Sequence, residues 1–134
     1  MIAVLLAAIL QATTPMRPID KGLNSQIDEA RQTVVRTTAD WSKLWTEHAG
    51  ADRKAPAVDF SKDIVLAVFM GTRSSTAFSA EIVRARTEGA TLVVSYKETR
   101  PAPGGVAAQI LTAPFHIVAV PKGTATDVKF ERVN

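Results

Sequence analysis

The chain has 134 residues, of which 46% are hydrophobic and 22% are charged, and its net charge is +3. This size and balance indicate one globular domain and exclude a chain that is disordered throughout. Cysteine is absent, which excludes disulfide bonds, thiolate catalysis and cysteine-ligated zinc. Basic residues alternate with acidic ones and form no stripe, so nucleic-acid binding is not predicted.

The amino terminus has the pattern of an export signal. Residues 1–10 (MIAVLLAAIL) are apolar without interruption, which is shorter than the roughly 20 residues that span a bilayer. Ala12 is a small residue of the kind that precedes a cleavage point. We therefore predict a signal peptide over residues 1–12, a poorly ordered lead-in over residues 13–29 and a periplasmic or secreted chain without a membrane span. The alternative is a first core strand or helix.

The domain proper is predicted to cover residues 30–134. Residues 31–37 are rich in β-branched side chains and predict a short strand. A helix is predicted over residues 38–49, with Thr38 as its N-cap and Gly50 as its end.

One face of this helix carries both tryptophans of the protein. The helical spacing i, i+3, i+4, i+7 selects a stripe of four residues, Trp41, Leu44, Trp45 and His48. We expect this stripe to pack onto a sheet, with His48 at its margin. The alternative is an aromatic surface that binds a sugar or a protein partner.

The rest of the chain predicts strands. Residues 64–70 include no polar residue, which is typical of a central strand covered on both faces, here by the helix on one. Residues 77–86 and 91–97 alternate around a turn at Gly89 and predict a hairpin. Two more strands are expected at 114–120 and 126–133. The predicted fold is α+β: a mostly antiparallel β-sheet, or a small sandwich or barrel of five to seven strands, with one amphipathic helix packed on it.

No catalytic site is predicted from these residues. The serines at 74, 75 and 79 follow a buried strand, but the Gly-x-Ser-x-Gly pattern is absent and His48 and His116 are the only histidines. Two distant histidines also give no metal-ligand spacing, and no glycine pattern cradles a phosphate. We expect no enzyme activity, no metal and no cofactor.

Two polar loops, each with an arginine and each between β elements, are the candidate partner-binding sites. Loops held by a rigid sheet are the usual place for recognition, although plain solvated turns would have the same composition. The candidate residues are Arg73, Ser74, Ser75 and Thr76 in one loop and Arg100, Pro101, Pro103 and Gly104 in the other.

Residues 71–82 (GTRSSTAFSAEI) resemble the Gly-x-Arg-Pro-Thr-Gly-Gly-Tyr-x-x-x-Ile stretch of the PrcB C-terminal domain family. Where that family has Thr-Gly-Gly-Tyr, this chain has Ser75, Thr76, Ala77 and Phe78. Further features similar to the family are Pro101-Ala102-Pro103-Gly104, Gln109 and residues 112–121 (TAPFHIVAVP). The helix around Trp41 and residues 58–61 resemble the region that accompanies the domain in bacterial relatives.

The resemblance implies a secreted or periplasmic bacterial domain without catalytic residues, in a family named after a subunit that stabilises a cell-surface protease complex. The leading hypothesis is therefore an exported domain that binds and stabilises a protein partner, such as a protease. One alternative is a protease inhibitor of the chagasin type, which also uses loops of a small β domain. The other is an enzyme of unrecognised type, which polar residues converging in a deep pocket would favour.

Overall fold

The computed structural model describes residues 13–134, which form eight strands and one helix. In chain order the elements are β1 (Thr13–Thr14), β2 (Arg17–Gly22), β3 (Ala30–Val35), α1 (Thr38–Ala49), β4 (Asp63–Met70), β5 (Ser79–Glu88), β6 (Thr91–Thr99), β7 (Phe115–Pro121) and β8 (Asp127–Val133). The predicted signal peptide, residues 1–12, lies outside the described residues. Within residues 13–134, no helix combines the length and the apolar character that a membrane span requires.

The strands form two sheets, which we call the inner and the outer sheet. The inner sheet has the order β2-β7-β4-β3 and is antiparallel throughout. The outer sheet has the order β1-β5-β6-β8, and β8 runs parallel to β6. The chain therefore changes sheet between β7 and β8, although the connection is short. The two sheets face each other and do not close into a barrel.

Strand β4 lies at the centre of the fold, as its sequence predicted. Its residues from Ile64 to Met70 are all buried. Successive side chains of a strand point to opposite faces, so β4 supplies two separate cores. Val65, Ala67 and Phe69 face the helix, whereas the alternate residues, such as Leu66, face the outer sheet. The layers are thus helix, inner sheet and outer sheet.

Helix α1 covers residues Thr38–Ala49, the range that the sequence predicted. Its N-cap is Thr37, one residue earlier than predicted, because Thr37 has extended backbone and its hydroxyl accepts the Asp40 N–H. Trp41, Leu44 and Trp45 are buried against the inner sheet, which confirms the packing interpretation of this face.

The predicted position of His48 at the margin of the helix was wrong. His48 is 2% exposed, and its ring lies between Trp45 and Phe115, with centroid distances of 5.2 and 4.3 Å. His48 was predicted at the margin because it is a polar residue at the end of an apolar stripe, but Asp20 and Ser25, from another segment, are its polar partners. A buried polar side chain is stable when it is hydrogen-bonded in this way.

The predicted hairpin is present as β5 and β6, with a turn in which Gly89 has a φ of +61°. Strand β5 has a bulge between Ile82 and Arg84. A bulge inserts one residue and interrupts the alternation of faces. Consequently Val83 is exposed, while Ile82 and Ala85 both contribute to the core between the sheets.

The prediction of five to seven strands was wrong, because it omitted β1 and β2. Both lie in residues 13–29, which were predicted to be a poorly ordered lead-in. Strand β2 is the edge strand that pairs with β7, and it includes Pro18 next to a register shift. Proline and short polar runs are tolerated at a sheet edge, where backbone pairing rather than an apolar face holds the strand.

Candidate binding surface

The two predicted loops leave the same end of the outer sheet. We call residues 71–78, which join β4 to β5, the first loop, and residues 100–114, which join β6 to β7, the second loop. Ser79, the first residue of β5, pairs with Thr99, the last residue of β6. Met70 also donates its N–H to the Pro114 carbonyl, at 2.9 Å, so the other ends of the loops are adjacent too.

Backbone hydrogen bonds fasten the first loop to the carboxyl-terminal half of the second. Arg73 and Thr112 exchange two bonds, of 2.7 and 2.8 Å, and the Thr76 N–H donates to the Ala108 carbonyl at 3.1 Å. The Thr112 hydroxyl donates to the Ser75 carbonyl at 2.9 Å. The first loop is therefore part of a paired layer rather than a free turn.

The predicted residues of the first loop differ in what they present to solvent. Ser74 and Thr76 are exposed. Ser75 is only 3% exposed, and its hydroxyl accepts the Ala77 N–H at 3.2 Å, so its side chain shapes the loop. Within residues 13–134, only glycines have a positive φ. The backbone of Ser75 to Phe78 therefore does not require the two glycines that the family has at these positions.

In the second loop, Pro101, Pro103 and Gly104 are exposed. Arg100 and Arg132 donate to the same Glu98 oxygen, at 3.1 and 3.2 Å. Two guanidinium groups thus share a single carboxylate, and the surface keeps a positive excess beside the second loop.

Sequence reasoning missed the apolar segment of the second loop, which we define as residues 106–111. Among the large apolar side chains of residues 13–134, the three most exposed belong to this segment: Val106 (102%), Leu111 (76%) and Ile110 (58%). The signal in the sequence was the presence of three large apolar residues in 106–111 (VAAQIL), a range that lies outside every predicted strand. Exposed apolar groups concentrated in one loop are typical of an interaction site.

Arg73 is bonded through its backbone to Thr112, the residue that follows this segment, and is only partly exposed. Its guanidinium carbon is 5.8 Å from the centre of the Phe78 ring. Its Nε is buried, and no atom of the described residues accepts a hydrogen bond from it.

A serine, a histidine and an aspartate converge elsewhere, although no triad was predicted. His48 Nε2 lies 3.0 Å from an Asp20 carboxylate oxygen, and Nδ1 lies 2.8 Å from the Ser25 hydroxyl. An ionised carboxylate only accepts, so Nε2 donates to Asp20; in the neutral form of the ring, Nδ1 then accepts from the Ser25 hydroxyl. A chain of this kind can activate a serine for acyl transfer.

The surroundings of Asp20, His48 and Ser25 indicate a structural role for these three residues. The Ser25 oxygen also accepts the Ile27 N–H at 3.1 Å, and the Gln26 N–H donates to the His48 carbonyl at 2.8 Å. These bonds tie the segment before β3 to the end of α1. Within residues 13–134, no group of three or more histidines and carboxylates is placed to hold a metal ion.

His116 connects the two sheets. Its Nδ1 accepts the backbone N–H of Ile82 in β5 at 2.8 Å, so the bond requires the neutral ring. Burial lowers the pKa of His116 below its ordinary value of 6.5, and the Lys21 ammonium lowers it further, against the Glu81 carboxylate. His116, a residue of β7 in the inner sheet, is thus an acceptor for the outer sheet.

We expect the stability of the domain to fall in mild acid because of His116. Its pKa is lower in the folded than in the unfolded chain, so the unfolded chain binds the proton first. The contribution is complete above about pH 6.5 and is lost progressively as the pH falls toward the folded-state pKa. Urea unfolding at a series of pH values measures it.

His116→Asn is the matched control, because its amide oxygen can accept the Ile82 N–H without titrating. The variant should fold and show a shallower loss of stability below pH 6.5. Identical pH profiles for the two proteins would contradict the role of His116. His116→Ala, which leaves the Ile82 N–H buried without an acceptor, should lose about 1–3 kcal/mol at neutral pH.

Comparison with protein families finds a match to the family described as PrcB C-terminal, over residues 64–121. The matched residues run from β4 to β7 and include both loops, which confirms the resemblance inferred from the sequence. Helix α1 and residues 58–61 lie outside them, so the resemblance of that region stays a prediction. No curated protein and no solved structure matches the chain.

Proposed function

We propose, on the premise that residues 64–121 belong to the PrcB C-terminal family, that this chain is an exported, non-catalytic domain that binds and stabilises a protein partner, such as a protease complex. The family supports an association with a protease. Export to the periplasm or the exterior rests on the apolar run of residues 1–10.

The observation that carries the binding function is the exposure of Val106, Ile110 and Leu111 beside a fastened first loop. Apolar side chains in water contribute nothing to folding, whereas their burial against a partner is favourable. The backbone bonds to Arg73 and Thr76 hold the base of the segment in place, so less conformational entropy is lost on binding.

The test is capture of partners from the periplasmic fraction with a mild cross-linker, quantified by mass spectrometry. We expect the double variant Ile110→Ser, Leu111→Ser to reduce capture of the principal partner at least about tenfold, since apolar residues at the centre of an interface each contribute about 1 kcal/mol or more. Its thermal unfolding should match the wild type, because both side chains are exposed.

Val83→Ser is the matched control, an exposed apolar residue on the β5 bulge rather than in the loops. It should leave capture unchanged. Equal capture by the wild type and the double variant would reject the segment as the binding site. Reaction of Ser25 with a fluorophosphonate would contradict the non-catalytic part of the proposal, because it requires an activated serine.

The alternative of a chagasin-type inhibitor makes a different prediction, namely dose-dependent inhibition of a papain-like protease. Partner stabilisation predicts instead that the captured protease keeps its activity and survives heating longer in the complex. One assay of protease activity with added domain therefore separates the two functions.

A further inference from the structure

Arg73 is held in place by the fold, but its guanidinium forms no ion pair with a carboxylate of residues 13–134. Both its backbone groups bond to Thr112, and its guanidinium lies over the Phe78 ring. A cation over an aromatic face is attracted to the ring, which restricts the side chain further. The positive charge is therefore held over Phe78, on a residue whose backbone is bonded to Thr112, directly after the apolar segment.

The other partly buried arginines are each paired with two carboxylates. Arg31 contacts Glu29 and Glu47 at 2.7 and 3.3 Å. Arg86 contacts Glu88 and Glu131 at 2.6 and 3.4 Å. In residues 13–134 the Arg73 guanidinium forms no such pair, and residues 1–12 include no aspartate or glutamate that could supply one. A partly desolvated charge without a counter-charge lowers the stability of the folded domain. A carboxylate from a partner would offset this desolvation penalty.

A further positive excess lies at Arg100, where the second loop leaves β6. Arg100 and Arg132 share Glu98, whose side chain is only 10% exposed, and so this carboxylate is already engaged. Positive surfaces attract acidic partners and raise their association rate. The surface thus combines an unneutralised arginine, a basic margin and exposed apolar side chains.

We infer that the partner presents an acidic, apolar peptide segment, with one carboxylate on Arg73 and apolar side chains against Val106, Ile110 and Leu111. This inference rests on the proposed binding function and specifies the chemistry of the bound segment. Because Nε is covered, the carboxylate reaches the guanidinium through its Nη nitrogens. Charge-assisted bonds of this type are among the stronger hydrogen bonds in proteins.

The experiment selects binders from a display library of random twelve-residue peptides on the folded domain. Wild type should enrich peptides with Asp or Glu next to large apolar residues. Selection on Arg73→Met should retain the apolar preference and lose the acidic one. By fluorescence polarisation, an enriched peptide should bind this variant at least tenfold more weakly and with less dependence on salt.

Arg84→Met is the matched control, because Arg84 is an exposed arginine of β5 outside both loops, and it should bind the peptide as the wild type does. Arg73→Met should unfold at the wild-type temperature or above, because methionine keeps an apolar stem near Phe78 and removes the unpaired charge. Weak binding by this variant is then a property of the surface and not of misfolding.

The outcomes separate this inference from the proposed function. Enrichment of apolar peptides without an acidic preference, or equal affinity of Arg73→Met, overturns the inference and leaves protein binding in place. A selection that enriches nothing, together with unchanged capture by the loop variants, overturns both. Binding to phosphatidylglycerol vesicles that requires Arg73, with no peptide enriched, would assign the surface to a membrane instead and would also overturn the inference.

Discussion

Replacing Gly71 with alanine is expected to lower the free energy of unfolding by roughly 2–5 kcal/mol, a large share of the stability of a small domain. Gly71 is the first residue of the first loop and is buried directly after β4, and its φ of +76° costs an L-residue about 1–2 kcal/mol. A Cβ atom would lie 2.8 Å from the Ala30 nitrogen and 2.9 Å from the Glu29 carbonyl carbon. Both are backbone atoms, so no side-chain rotation relieves the contact, and overpacking adds about 1–3 kcal/mol.

Gly89→Ala is the matched control for this prediction. Gly89 has a φ of +61°, and a Cβ atom there would meet nothing within 4 Å. It should therefore lose only the conformational part, about 1–2 kcal/mol. The difference in unfolding free energy between the two variants, measured in urea, gives the cost of the close contact between Gly71 and the start of β3. Equal losses of stability would contradict this prediction, because they would show that the backbone there shifts without cost.

The second large effect is expected from Trp45→Ala, which should lose about 3–5 kcal/mol. Trp45 is 4% exposed in the core between α1 and the inner sheet. Its Nε1 donates to the Arg53 carbonyl at 3.1 Å, and the Arg53 guanidinium lies 5.6 Å from its ring centre. The substitution therefore opens a cavity and also releases the connection that follows the helix.

Trp45→Phe separates these two contributions. It keeps an aromatic ring in the core but leaves the Arg53 carbonyl without its donor, so we expect a loss of about 1–2 kcal/mol. Chemical denaturation followed by far-ultraviolet circular dichroism measures both variants. A loss below 1 kcal/mol for the alanine variant would mean that this helix face is not part of the core.

Elements whose signals are local could be predicted from the sequence. The helix range follows from apolar spacing and a glycine at its end, and the hairpin follows from alternation around Gly89. The burial of β4 on both faces follows from its unbroken apolar run. Each of these signals lies within a few residues of the element that it describes.

Features that depend on distant segments could not be predicted. Strand β2 is defined by its pairing with β7, and its own side chains show no alternation that separates it from a loop. The parallel position of β8 beside β6 requires the chain to change sheet, which a short connection does not reveal. The burial of His48 depends on Asp20, which lies in β2, and on Ser25, which follows β2.

The candidate surface was predicted in part. The sequence singled out Arg73 and the two loops, and the structure brings these loops to one end of the outer sheet. The sequence did not reveal that Ser75 is buried, nor that Val106, Ile110 and Leu111 are exposed. Both facts depend on the backbone bonds between Arg73 and Thr112, residues far apart in sequence and of unremarkable type.

The backbone bonds from Arg73 to Thr112 and from Thr76 to Ala108 divide the second loop into a fastened half and an unfastened half. Residues 101–107 precede Ala108, the first bonded residue of the fastened half, and they are largely exposed. Within them the Gly105 N–H donates to the Ala102 carbonyl and closes a turn. Insertions and substitutions are tolerated where little backbone is buried or bonded. A new partner preference could therefore arise by lengthening or replacing residues 101–107, while the inner sheet and the paired base stay unchanged.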